Sequence, residues 1–340
     1  MKIAVVILNY NGKSFLEKFL PTVVACTTNA DIVVADNCST DDSVEFLKSF
    51  FPSIRLIQNA ENGGFAKGYN DALKQVDADY YVLLNSDIEV TPNWIQPCID
   101  LLESDINIVA VQPKILAYHD KTKFEHAGAA GGFLDKNFYP FCQGRIFQNT
   151  EEDKNQYNTT REVFWATGAC LFIDAKAYHE LGGLDEDFFA HMEEIDLCWR
   201  LKLRGKKIFY CPDSAVYHVG GGTLNYMNPK KTFLNFRNSL YMIAKNYDGF
   251  LFGKIFKRLI LDGIAGGLFL VKFQFSHFIA VLKAHFVFYT KLSSLLKKRR
   301  AIKQSSASFN KAGLYNGNIV TQKFIKGIKY FSELNEQDFY

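Results

Sequence analysis

Four apolar runs, the third interrupted once by Arg55, each hand over to polar residues and frame the first ninety positions. Residues 3–8 end at Asn9-Tyr10-Asn11-Gly12, residues 32–35 at Asp36-Asn37, residues 54–57 at Asn59 and Asn62-Gly63-Gly64, and residues 80–84 at Asn85-Ser86-Asp87. Strands that read as continuous apolar runs, not as alternating ones, belong to a sheet covered on both faces. The stretches between them have helical spacing. Leu16, Phe19, Leu20 and Val23 share a face, with Ser14 placed to cap it; Ser39-Thr40-Asp41-Asp42 precedes a helix over 43–49; a third helix covers 65–75. This alternation predicts an α/β fold, a mostly parallel central sheet with helices on both faces. The polar residues after each strand then share one sheet edge, where open α/β sheets hold ligands.

Further along, the pattern predicts a helix over 93–103 and a strand over 108–111. Residues 118–160 show no period and read as a functional flap or a mobile loop. A strand over 164–173 is followed by a short helix stopped at Gly182-Gly183, a helix over 193–204 stopped at Gly205, and extended segments at 207–210 and 215–218. From residue 233 the character changes to Phe, Leu and Ile interspersed with Lys, predicting a C-terminal helical extension over 233–247 and 250–292. Residues 259–271 are apolar except for Asp262 and are flanked by Lys257-Arg258 and Lys272. That is short of the ~20 apolar residues of a spanning helix. A pair of helices lying on a membrane surface over 250–300 is the better expectation, with Lys297-Lys298-Arg299-Arg300 meeting anionic lipid. Residues 301–340 are polar and are expected to be only partly ordered.

Composition narrows the function classes. A chain of 340 residues that is 48% hydrophobic supports a large core, and a net charge of +3 argues against nucleic acid as a partner. Seven scattered cysteines without a C-x-x-C pair argue against a disulfide framework or zinc site and fit a reducing compartment. The first apolar run is too short for a secretory core, so a cytoplasmic protein at the cytoplasmic face of a membrane is expected, and the sequons at Asn37 and Asn158 read as chance. No G-x-G-x-x-G follows the first strand, which disfavours a dinucleotide dehydrogenase. The absence of a Gly-rich basic loop disfavours a nucleotidyltransferase, and the lack of a Q-x-x-R-W block disfavours a cellulose-synthase-type polymerase.

Carboxylates carry the chemistry. Asp87 stands just past a strand end, Glu193-Glu194-Ile195-Asp196 opens a later helix, and His218 precedes Gly220-Gly221-Gly222, which reads as a mobile loop. A hard divalent cation takes oxygen ligands and bridges protein to phosphate, while a separate carboxylate pair supplies a general base. Activation of a diphosphate leaving group and deprotonation of a nucleophile follow.

Eight blocks in order strengthen this reading. They are Ile7-Leu8-Asn9-Tyr10-Asn11, Val34 to Asp41, Asn62-Gly63-Gly64-Phe65-Ala66, Leu83-Leu84-Asn85-Ser86-Asp87, Gly168-Ala169-Cys170, Gly182 to Phe189, Glu193 to Arg200, and His218. Together they resemble the family-2 glycosyltransferases, most of all the bacterial rhamnosyltransferase-like branch, over about residues 3–225. The resemblance implies a GT-A-type (Rossmann-like) fold, an inverting mechanism, a nucleoside-diphosphate sugar donor and Mg²⁺ or Mn²⁺. It implies a catalytic domain at 1–230, its nucleotide-binding half about 1–115 and its acceptor half about 116–230. By position, Asn9, Asp36, Asn62, Gly64, Lys67, Asn85, Ser86 and Asp87 meet the nucleotide sugar. Asp36 accepts from the pyrimidine N3–H. Asp87 and His218 hold the metal. Glu194, or Glu193 in its place, is the base, and Asp185, Asp196 and Trp199 lie on the acceptor side. Two positions depart from the family pattern: Asn85 replaces the first carboxylate of the metal block, and Glu194 stands where aspartate is usual. They alone support the alternative of a non-catalytic nucleotide-sugar-binding or scaffold subunit. The implied acceptor is a lipid-linked or growing cell-surface glycan.

Overall fold

The computed structural model describes residues 1–220 and 228–340. The elements run β1 (Ile3–Asn9), α1 (Lys13–Cys26), β2 (Asp31–Asp36), α2 (Ser43–Phe50), β3 (Arg55–Gln58), α3 (Gly64–Leu73), β4 (Tyr80–Asn85), β5 (Ile88–Val90), α4 (Gln96–Ser104) and β6 (Ile108–Ala117). Then come β7 (Gly132–Asp135), β8 (Pro140–Cys142), β9 (Arg145–Ile146), β10 (Asn149–Thr150), β11 (Arg161–Glu162), β12 (Cys170–Asp174), α5 (Ala175–Glu180), α6 (Glu193–Lys202) and β13 (Lys207–His218). Helices α7 (Pro229–Asn246), α8 (Leu251–Val271) and α9 (Phe275–Ser305), strand β14 (Leu314–Tyr315) and helix α10 (Ile319–Phe324) complete the described chain.

The main sheet has the order β11-β13-β6-β12-β4-β1-β2-β3, with β5 against β13. Its first four strands are parallel, as the alternation predicts. The β6–β13 pair is also parallel, but β12 enters antiparallel between β4 and β6, so the sheet is mixed. Burial explains the unbroken apolar runs. On β1, Ala4 and Val6 face the core beneath α3 and α6, while Ile3, Val5 and Ile7 face a second core with Leu16 and Leu20 of α1 and Trp94 and Cys98 near α4. Both sides of β1 and β4 lose water, so neither alternates, while the edge strand β3 buries only Ile57.

Two expectations are corrected. Residues 118–160 are not a loose flap. They carry β7 to β10, which pair into a small second sheet completed by β14. Nor is the polar tail loosely ordered. Phe331 and Phe339 stack against Phe133 and Phe141 of the small sheet, and Phe331 and Tyr315 are buried. A few aromatic anchors hold a polar segment here, and a composition average over 301–340 hides them.

The C-terminal helices are as expected in kind, with a break between α8 and α9. One stripe of α9, through His277, Ala280, Val281, Ala284, Phe288 and Leu295, is buried on the body of the protein. By length and composition α9 also reaches what a membrane crossing requires, and it is the one such helix among the described residues.

Candidate active site

The carboxyl ends of β1, β2 and β4 meet, and a network of amide side chains ties them together. Asp36 is buried; its Oδ1 accepts from Asn9 Nδ2 at 3.0 Å and its Oδ2 from the Ser39 backbone N–H at 2.9 Å. Each oxygen keeps a free lone pair for a donor from a ligand. Asn37 Nδ2 donates to Asn62 Oδ1 (3.1 Å) and to the Gly64 carbonyl (3.0 Å), and Asn59 Nδ2 donates back to Asn37 Oδ1 (3.1 Å). Asn37 and Asn59 were not assigned a role from sequence, although both stand in the polar steps that end strands. Asn9 Oδ1 is buried with no hydrogen-bond partner among the described residues. It lies beneath Gly12, where an added Cβ would come within 2.4 Å of it and 3.4 Å of Ser86 Oγ. Side chains are excluded there and backbone is brought close, as a phosphate-bearing ligand requires.

Gly64 shows the same economy of space. Its φ is +74°, and a Cβ would stand 2.4 Å from the Phe189 carbonyl oxygen. Lys67 lies over Gly63 and pairs with Asp71 and with Glu61 (3.5 Å).

Opposite the strand ends lies the acidic pair. Asn85 N–H donates to the Ala169 carbonyl at 2.9 Å, which sets Gly168 beside the Asn85-Ser86-Asp87 turn. A Cβ on Gly168 would touch both Phe65 of the donor-side turn (2.9 Å) and Cβ of Glu194 (3.7 Å). One glycine therefore brings the two halves of the site together. Glu193 and Glu194 open α6, and each has an Oε2 that is buried without a partner among the described residues. Burial pushes the Glu194 carboxyl up to about 7, against backbone N–H groups at the helix start that pull it down. Burial, and then the charge of Glu194, push the Glu193 carboxyl well above the usual carboxylate range. The pair titrates as a unit. It is reached through a strained loop: Phe189, His191 and Met192 all have φ between 65° and 74°, at about 1–3 kcal/mol each.

Asp87 and His218 meet because β5 pairs with the end of β13, where His218 stands across from Ile88. His218 Nε2 lies 3.2 Å from Asp87 Oδ1, and Glu125 Oε2 lies 3.1 Å from its Nδ1. Burial works against the imidazolium, but the two carboxylates outweigh it and hold the pKa near 10. Glu125 sits in the aperiodic stretch after β6 and had no signal in the sequence. Among the described residues no group of three or more His, Cys, Asp or Glu is arranged to hold a metal. Asp87 and His218 nevertheless fit two places in a divalent shell. Once His218 gives up a proton, Asp87 Oδ1 and His218 Nε2 would both offer lone pairs to such an ion, and Glu125 Oε2 lies 3.1 Å from the other ring nitrogen. Gly220 is described; Gly221 and Gly222, part of the expected mobile loop, lie outside the described residues.

Two residues expected on the acceptor side, Asp196 and Trp199, are turned into the core. Asp196 is fully buried and saturated by Arg200 Nε (2.9 Å), Lys245 Nζ (2.9 Å) and Asn246 Nδ2 (2.7 Å). Trp199 is buried against Phe138 and Phe164. Helical spacing sets both on the inner face of α6, turned from Glu194 toward the core. Asp185 is held by Lys245 and by Lys298 of α9.

Known proteins resemble this chain in sequence and in fold. The chain is 25% identical over 230 residues to N-acetylglucosaminyl-diphospho-decaprenol L-rhamnosyltransferase of Mycobacterium tuberculosis, covering 63% of this chain and 75% of that one. It is 23% identical over 225 residues to the rhamnosyltransferase WbbL of Escherichia coli, covering 63% and 82%. In fold it resembles GalNAc-T7, solved with UDP, GalNAc and Mn²⁺, with a TM-score of 0.61 at 17% identity over 91% of this chain and 55% of that one. The fold is GT-A-type. The model of glycosyl transferase family 2 matches residues 4–182, more than half of the chain, and the protein belongs to that family of glycosyltransferases.

Proposed function

We propose that the protein transfers a sugar, with inversion, from a dTDP- or UDP-linked donor to a hydroxyl of a lipid-linked glycan. The observation that carries this reading is the pair of carboxyls at the start of α6, each with a buried Oε2 that has no partner among the described residues, joined through Gly168 to the strand-end turn of Asn85 to Asp87. Asn9, Asp36, Asn62 and Gly64 bind the nucleotide, within the first 115 or so residues; residues 116–230 face the acceptor. Asp87 and His218 would hold Mg²⁺ or Mn²⁺, with the donor diphosphate filling the shell. A bound ion neutralises charge on the departing diphosphate. Glu194 takes the proton of the attacking hydroxyl, on the face of the sugar opposite the leaving group. The two rhamnosyltransferase relatives favour a rhamnose-like sugar, and the mycobacterial one favours a polyprenyl-diphosphate-linked acceptor.

The experiment is a panel of dTDP-, UDP- and GDP-sugars, with and without Mn²⁺, followed by thermal stabilisation and release of free nucleoside diphosphate. Metal-dependent stabilisation by one pyrimidine sugar, with slow release, is expected. No response to any donor would favour a non-catalytic scaffold subunit instead.

A lipid-linked acceptor fits the outer face of α8 and α9. Phe252, Phe256, Ile260, Ile264, Ile279 and Phe286 are exposed there. Residues 250–305 hold eleven Lys and Arg and a single acidic residue, Asp262, but Arg258, Lys298 and Arg299 turn inward, to Asp262, to Asp185 and Asp187, and to the Tyr247 and Gly249 carbonyls, so of residues 297–300 only Lys297 and Arg300 are exposed. An apolar ridge with a basic border suits the headgroup region of an anionic bilayer. The protein is expected to sediment with phosphatidylglycerol vesicles, less so at high salt. The Phe252→Ser/Phe256→Ser variant is expected to stay in solution, and equal sedimentation of that variant would remove the membrane face.

A further inference from the structure

The residues that set the position of the acidic pair lie outside the matched family segment, on α7. The backbone from Asp187 to Met192 turns through three left-handed non-glycine residues, yet every carbonyl along it has a partner. Asp187 O accepts from Arg237 Nη2 (3.1 Å), and Phe188 O accepts from Arg237 Nη2 (2.8 Å) and Asn238 Nδ2 (3.0 Å). Phe189 O accepts from the N–H groups of Phe65 (2.7 Å) and Ala66 (3.3 Å) at the start of α3. Ala190 O and His191 O accept from Asn238 Nδ2 at 2.8 and 2.6 Å, and Met192 O from the Asp196 N–H at 2.9 Å. A single buried amide thus serves three of six consecutive carbonyls. Its orientation is fixed because Asn238 Oδ1 accepts from Arg237 Nε at 2.8 Å, so the NH₂ group must face the loop.

We propose that Asn238 is a positioning residue for transfer, holding the 187–192 loop so that Glu194 faces the acceptor hydroxyl while Phe189 stays docked on the donor-side turn. The inference rests on the reading of Glu194 as base. The side chains of the same loop are gripped from the same direction: Lys245 of α7 binds Asp185, and Lys298 of α9 binds Asp185 and Asp187. The C-terminal helices therefore act on the catalytic loop as well as packing, through α7, against α6. A shift of about an ångström at the base is felt strongly in proton transfer.

The test is Asn238→Asp, which keeps the shape and removes both N–H donors. The expected result is a 10- to 100-fold loss of kcat, a displaced acidic limb of the pH profile of kcat/KM, and donor affinity within about twofold of wild type by direct titration. A variant lowered only in folded fraction would keep the limb where it was. If Asn238→Asp does not fold, Arg237→Gln withdraws the guanidinium donors from Asp187 O and Phe188 O. It is expected to move kcat and the limb in the same direction, by less. An unchanged kcat and limb in the folded variant overturns the proposal. Glu194→Gln run alongside separates the two ideas. If its turnover collapses while the Asn238 variant is unaffected, only the positioning role fails. If Glu194→Gln keeps wild-type turnover, the base assignment fails and the positioning role falls with it.

Discussion

Replacing Glu194 with Gln is expected to lower kcat by 10²- to 10⁴-fold, about 3–5 kcal/mol of barrier, with little change in donor affinity. The amide has the size of the carboxyl but cannot take a proton from the acceptor hydroxyl. Glu194 lies against Gly168 rather than in the nucleotide network around Asp36 and Asn37, so the donor keeps its contacts. Steady-state kinetics with a fixed acceptor checks the first part, and donor titration the second. Turnover near wild type would exclude Glu194 and leave Glu193, whose Oε2 is also buried without a partner among the described residues.

The pH dependence follows from the raised carboxyl. A base must be ionised, so kcat/KM is expected to fall tenfold per unit below about pH 7 and to level off above it. Stability moves the other way. The folded protein holds the Glu194 proton more tightly than the unfolded chain does, whose carboxyl titrates near 4.5. Between those values the native state binds more protons, so this contribution is full below pH 4.5 and is lost as pH rises through about 7. Glu194→Gln removes that loss. Its unfolding midpoint is expected to exceed that of wild type at pH 8 and not at pH 4. A charge kept in a dry site for reaction costs stability at the pH where it works.

What the sequence disclosed and what it hid divide along physical lines. Strand ends were legible because apolar runs stop at polar residues, and a parallel register then stacks those stops: Asn9 lies beside Asp36, and Leu8 beside Asn85. The approach of Asp87 to His218 was legible only through family resemblance, since about 130 residues separate them and a β5–β13 pairing joins them. Asp196 and Trp199 misled because a helix carries its acidic and aromatic residues on several faces, and only packing tells which face is wet. Glu125 and Asn238 had no signal of their own, and Asn37 and Asn59 had only their place at strand ends. Each is an ordinary polar residue until its partners are known, and Asn238 acts through carbonyls, which no side-chain pattern encodes. The small sheet was missed for a related reason. Its strands are two to four residues long, below the length at which period can be read.

Asp87→Ala is the second large effect expected, a loss of about 10² or more in kcat. The first position of this turn is already an amide, Asn85, so Asp87 is its only full negative charge. It also neutralises His218 at 3.2 Å, and Glu125 is the other carboxylate on that ring. Without Asp87 the site has one fewer donor for a divalent ion, and His218 keeps only Glu125 as a carboxylate neighbour among the described residues. Catalysis and metal-assisted donor binding should therefore fail together. The second readout is thermal stabilisation by UDP or dTDP with Mn²⁺, which needs no turnover: the extra shift produced by Mn²⁺ is expected to vanish in Asp87→Ala while the smaller nucleotide-alone shift survives through Asn9 and Asp36. Asp87→Asn, which keeps one carbonyl oxygen, should fall between the two. Full turnover together with an undiminished Mn²⁺-dependent shift in Asp87→Ala would move the metal away from the β4–β5 turn. Loss of turnover with that shift intact would instead assign Asp87 to holding His218, since an ion retained without Asp87 has its ligands elsewhere.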